Sequence, residues 1–197
     1  MRKIIYTLCI AVALLSCSNT TNSKQQTKQL EGLELDVDPS IDSLISHVHI
    51  GNNWEINAWE LGKVSYQEFI DLGIEERFKS LYLNMLTSDT SFYKFKNQHI
   101  TLFFPIEDED EPEDEIFFYS YEVNFKGQNI TFANGLKPFS TRQEVIEHLQ
   151  KLGIEITNLG FYSNVLTFYT EEYMVELHLD KISETEGNFC EIKVSRK

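Results

Sequence analysis

Between residues 173 and 179 the chain alternates with a period of two. Tyr173, Val175, Leu177 and Leu179 make one set, and Met174, Glu176 and His178 stand between them. Successive side chains of a strand point to opposite faces, so this is the signature of a half-buried β-strand. It constrains the fold strongly, because one face of the sheet must be covered while the other meets water or a partner. Aromatic and β-branched runs at 92–95, 100–105, 116–125 and 128–133 read as further antiparallel strands, with Lys126-Gly127-Gln128 as a tight hairpin. Two more runs, 159–170 and 189–194, flank the alternating strand and close the chain. A sheet with one polar face packs against helices, so the expected class is α+β: antiparallel sheet on a few helices.

The helices are marked by their starts. Thr141 and Glu144 have capping-box spacing, Val145, Ile146, Leu149 and Leu152 form one stripe, and Gly153 follows as a stop, predicting a helix over 141–152. Ser65 and Glu68 repeat the capping box, predicting a helix that is interrupted near Gly73 and resumes through Ile74, Phe78, Leu81, Tyr82 and Met85. Asp38-Pro39 opens a third helix, with Asp38 as cap and Ile41, Leu44, Ile45 and Val48 at helical spacing. Residues 54–61 fit strand and irregular structure equally well. Gln67-Glu68-Phe69-Ile70 with Leu72-Gly73-Ile74 is echoed by Gln143-Glu144-Val145-Ile146 with Leu152-Gly153-Ile154, each followed by strands. Two tandem helix-plus-sheet units, 31–134 and 135–197, or one continuous domain, accommodate that echo. The later unit, from Gly135 through Thr141, Glu144 and Gly153 into three strands, resembles the small outer-membrane lipoprotein A and β-lactamase-inhibitor-protein group. That resemblance implies a small domain that acts by binding proteins.

Arg2 and Lys3 precede an apolar run, Ile4 to Leu15, of signal-peptide size and too short for the ~20 residues a membrane span needs. The run ends in Leu14-Leu15-Ser16-Cys17, which resembles the lipobox of bacterial lipoproteins. The resemblance implies removal of residues 1–16, diacylation of Cys17, and an envelope location with the membrane held through lipid. Ser18, where aspartate favours inner-membrane retention in enterobacteria, implies the outer membrane, with the domain in the periplasm. Residues 17–30 are almost wholly polar and read as a tether. Cys9 leaves with the signal and Cys17 takes lipid, so Cys190 is the remaining thiol, placed by alternation on one strand face with Ile192 and Val194 as a small core residue.

Seventeen basic residues face 31 acidic ones, a net charge of −14, which becomes −16 once Arg2 and Lys3 are gone. Nucleic acid and anionic headgroups are repelled by such a chain. The acid concentrates in Glu107, Asp108, Glu109, Asp110, Glu111, Glu113, Asp114 and Glu115, around Pro112. This run reads as a hydrated connection between strands and as the candidate contact for a basic protein surface. It lacks the glycine and alternating ligands of a calcium loop.

No motif for a nucleophile elbow, a phosphate loop or a zinc protease is present, and the residues name no cofactor. His47 and His49 could share a metal if extended, with Glu55 and Glu60 as further ligands, but diverge if they sit at a helix end, and no metal site is expected. Trp54, Trp59, Tyr66 and Phe69 suit either the core or a binding platform, the core being favoured. The sequence thus points to a non-catalytic lipoprotein that binds another protein, of the kind that neutralises a toxin. An envelope scaffold subunit is the alternative, and a hydrolase working through unplaced carboxylates is the third reading.

Overall fold

The computed structural model describes residues 40–84, 91–106, 112–158, 164–181 and 187–197. In chain order the elements are α1 (Ile41–Ser46), β1 (Val48–Ile50), α2 (Tyr66–Asp71), a 3-10 turn (Ile74–Glu76), β2 (Lys79–Asn84), β3 (Ser91–Lys96), β4 (Ile100–Ile106), β5 (Ser120–Asn124), β6 (Ile130–Phe132), α3 (Arg142–Lys151), β7 (Ile156–Asn158), β8 (Val165–Tyr169), β9 (Tyr173–Leu179) and β10 (Phe189–Arg196). Eight strands form one antiparallel sheet in the order β2-β3-β4-β5-β10-β9-β8-β7. It consists of two four-stranded meanders, each run in chain order, whose last strands β5 and β10 lie side by side. The fold is α+β.

Each meander follows a helix with a complete capping box. Ser65 accepts from the Glu68 amide while Glu68 accepts from the Ser65 amide, and Thr141 and Glu144 do the same for α3. Both helices then stop at glycines in the left-handed region, Gly73 at φ 77° and Gly153 at φ 74°, a conformation that costs a side-chain-bearing residue ~1–2 kcal/mol. The echo seen in the sequence is therefore a shared helix start, helix stop and meander.

The register puts Phe95, Leu102, Tyr121, Val194, Val175 and Phe168 in one row across the sheet, and none of them is exposed. Phe69 of α2 presses on this face between Phe104 and Phe118, with ring centroids at 5.4 and 5.5 Å. Val145 and Leu149 of α3 are likewise fully buried. A second aromatic centre joins Phe125, Phe132 and Phe189, the closest pair being Phe125 and Phe189 at 4.5 Å. Each such side chain contributes roughly 2–3 kcal/mol by leaving water.

Several expectations are corrected. The first helix is capped by Ser40, whose hydroxyl accepts from the Ser43 amide, and it ends before Val48, which pairs as a strand. The helix expected to resume after Gly73 makes only a 3-10 turn, and 79–84 is strand β2, because its aromatic and leucine side chains pair with β3. Residues 116–119 stay outside β5. Lys126-Gly127 turns the chain but makes no hairpin: β6 pairs in parallel with β1 in a separate two-stranded sheet, away from β5. Within the strand expected at 159–170, residues 165–169 form β8, residues 159–163 lie outside the described residues, and β7 precedes them. Leu152 is exposed and caps α3 rather than packing. Cys190 sits at a register shift between Phe189 and Glu191, so Phe189, not Cys190, shares the core face with Ile192 and Val194.

Candidate binding face

The loop from Gly51 to Gly62 holds the helices over the sheet by unusual backbone geometry. Trp54, Asn57 and Ala58 all have positive φ, at 64°, 48° and 65°. Asn57 is fully buried and pins the loop: its Oδ1 accepts from the His49 amide at 2.9 Å, and its Nδ2 donates to Ser43 Oγ at 3.2 Å and to the His47 carbonyl at 3.1 Å. The Trp54 carbonyl accepts from the Tyr121 hydroxyl at 2.8 Å. Trp54, Trp59, Tyr66 and Phe69 are all buried, so they belong to the core and form no platform.

His47 and His49 converge rather than diverge. His47 leaves the helix in extended conformation, at φ −155°, which places the two rings on one side of the chain. His47 Nε2 and His49 Nδ1 each lie 2.9 Å from Thr131 Oγ1. Asn129 Nδ2 lies 3.2 Å from His47 Nδ1 and can only donate, so Nε2 carries the proton and donates to Thr131, whose hydroxyl donates on to His49 Nδ1. The pair thus ties β1 to β6. Burial lowers the His49 pKa, Glu55 opposes that shift, and His47 adds to it. Among the described residues no group of three or more His, Cys, Asp or Glu side chains could hold a metal ion.

Cys190 is half-buried, its thiol donates to the His178 carbonyl, and burial, Glu191 and Asp180 push its pKa up, the opposite of an activated nucleophile. An open cleft of about 460 Å³ lies between the Asn52–Lys63 loop and the β8–β9 turn. Glu60, Glu171 and Glu172 give it negative charge, and Lys63 is paired with Glu60. Burial and the Glu172 carboxylate push the Tyr173 phenol up to about 12.

Of the acidic run, Glu113, Asp114 and Glu115 are exposed in a turn beside α2, where the Gln67 amide donates to the Glu113 carbonyl. Glu107, Asp108, Glu109, Asp110 and Glu111 lie outside the described residues, as does Cys17.

The far face of the large sheet lies opposite the face on which α2 packs; on it the short side chains Thr101, Ser120, Thr167 and Ser195 are buried, while Lys79, Leu83, Lys96 and Tyr169 are exposed. Its central row reads Lys79, Lys96, Thr101, Glu122, Lys193, Glu176 and Thr167 from β2 to β8. A neighbouring row reads Leu81, Lys94, Phe103, Ser120, Ser195, Met174 and Tyr169. Leu83 and Phe92 extend it at the β2 end. The charges are segregated. On β5, β10 and β9, Lys193 stands 3.8 Å from both Glu122 and Glu176, and Glu191 accepts from Asn124 and faces His178 at 3.9 Å. On β2 and β3, Lys79, Lys94 and Lys96 have no carboxylate among the described residues within salt-bridge distance, although Lys94 lies 5.0 Å over the Phe103 ring.

Helical spacing through residues 79–84 scatters Lys79, Leu81 and Leu83 over different sides, so this face is hidden in the sequence. The alternation of aromatic and lysine residues in Tyr93-Lys94-Phe95-Lys96 is the local signal of a strand here. Among the described residues no helix is long and apolar enough to cross a membrane. No protein-family model matches the chain, and no curated protein and no solved structure does either.

Proposed function

We propose that the chain is a non-catalytic, lipid-anchored envelope protein whose folded part binds another protein on the open face of its eight-stranded sheet. One observation carries this reading: an antiparallel sheet with helices on one side leaves a broad opposite face where Phe92, Phe103, Met174 and Tyr169 stand among charged side chains. Aromatic and methionine anchors within a polar surround are the composition of protein interfaces. The excess of acid on the chain, with Glu122, Glu176 and Glu191 on this face, favours a partner of basic overall charge and speeds its approach at low salt. A toxin neutraliser fits these properties, and so does a scaffold subunit of an envelope complex.

The test uses residues 24–197 as bait in envelope extract, with mass spectrometry of what they retain. Wild-type bait should retain one stoichiometric protein, and Phe103→Arg and Met174→Arg should each lose it while keeping the wild-type circular dichroism. Retention by both variants would move the binding site off this face. Absence of any retained protein would overturn the binding-module reading and favour an enzyme.

A further inference from the structure

We infer that the β2–β3 half of the open face receives an extended, acidic segment of the bound protein, laid along the free edge of β2. This rests on the protein-binding reading and specifies one part of it.

Strand β2 ends the sheet, so its outer side has no strand partner among the described residues. Edge strands in soluble proteins are usually blunted by lysine, proline, a bulge or inward charge, since bare backbone donors and acceptors template strand addition. Beyond Lys79 at its first position β2 has none of these: it contains no proline, and its pairing with β3 runs over six residues without a register shift. Tyr82 and Leu83 are 48 % and 38 % exposed there. A strand added to such an edge gains main-chain hydrogen bonds and rests alternate side chains against its neighbours.

The charge on this half defines the added strand. Lys79 and Lys96 are directly opposite each other across β2 and β3, an arrangement that destabilises a sheet by placing like charges in contact. Lys94 stands two residues from Lys96 on the same face. In a chain with 31 acidic side chains, these three lysines have no carboxylate within salt-bridge distance among the described residues. Carboxylates at alternate positions of an incoming strand would lie on this face beside Lys79, and the apolar positions would meet Tyr82. A second copy of the chain is disfavoured as occupant, because its net charge of −14 is repelled as a whole, whereas a short segment feels mainly the lysines within a Debye length of ~8 Å.

Fluorescence anisotropy of an end-capped, labelled nonapeptide alternating glutamate and valine tests this on the full chain with Cys17→Ala. Saturable binding that weakens at least tenfold in Lys79→Glu/Lys96→Glu, with unchanged circular dichroism and melting temperature, is expected. A lysine–valine peptide should bind at least tenfold more weakly than the glutamate peptide. Equal binding of both peptides, no binding at millimolar peptide, or binding only to phosphatidylglycerol vesicles would each overturn it, as would concentration-dependent dimerisation lost in the double variant. If the partner retained from envelope extract is still held by Lys79→Glu/Lys96→Glu, this inference fails while the binding-module reading stands. If wild type retains no partner, that reading fails independently.

Discussion

Asn57 is the residue on which the loop between β1 and α2 depends. It accepts one hydrogen bond, donates two, is fully buried, and adopts a φ of 48° that asparagine tolerates better than most residues. Asn57→Ala removes all three bonds and adds backbone strain, so urea unfolding should show a loss of about 3–4 kcal/mol. Next to it, Ala58 is exposed at φ 65°, and here Ala58→Gly should stabilise by roughly 1 kcal/mol in the same assay, by relieving that strain. A destabilised Ala58→Gly would mean the strain is absent in solution. His49 adds a pH dependence. Its pKa is lowered by burial, so the unfolded chain binds the proton more readily than the folded one. Its contribution is complete above pH 6.5 and declines as pH falls below that value toward the folded pKa. NMR titration of the imidazole should give a midpoint under 6.5, and Thr131→Val should change it by removing the shared hydroxyl.

At the scale of elements, α2 and α3 are short helices held at their starts. Both capping boxes are complete, and hydrogen bonds from the Thr141 backbone and hydroxyl lower the Glu144 pKa. Ser65→Ala and Thr141→Ala should each lower stability by about 1 kcal/mol in chemical denaturation. For Glu144 the folded pKa is depressed, so its favourable contribution is present above the usual carboxylate range and is lost on acidification. The acid sensitivity of wild type between neutral pH and pH 3 should therefore shrink in Thr141→Ala. Both capping boxes were legible in the sequence, because a cap is made by residues three apart. The fate of 79–84 was not: Leu81 and Tyr82 satisfy helical spacing after Ile74 and Phe78, and only pairing with β3 selects the strand.

For the molecule as a whole, the proposed lipid anchor rests on the N-terminal sequence, which lies outside the described residues. Cys17→Ala should abolish incorporation of radiolabelled fatty acid and leave the protein unprocessed or released from the membrane fraction. Persistent labelling would refute the assignment of Cys17 as the anchor. The sheet, by contrast, unites both strand-rich stretches of the sequence, with β5 pairing to β10 over five residues from Ser120 to Asn124. Strands so distant in sequence carry no local mark of being neighbours. The open face, with its lysine-bearing and acid-bearing halves, exists only once that pairing is made.

The sequence by itself determined what depends on near neighbours: the period-two strand at 173–179, the two capped helices, the glycine stops and the α+β class, while for Trp54, Trp59 and Phe69 it favoured burial over an exposed platform. Tertiary structure decided the rest. It moved β6 out of the main sheet to pair with β1, turned 79–84 from helix to strand, and set Phe189 rather than Cys190 into the core through one shifted residue. It also brought His47 and His49 onto Thr131 and aligned Lys79 with Lys96. Local patterns record propensities of about 1 kcal/mol or less per residue, whereas burial of a single aromatic contributes two or three times that, so long-range packing chooses among locally acceptable structures.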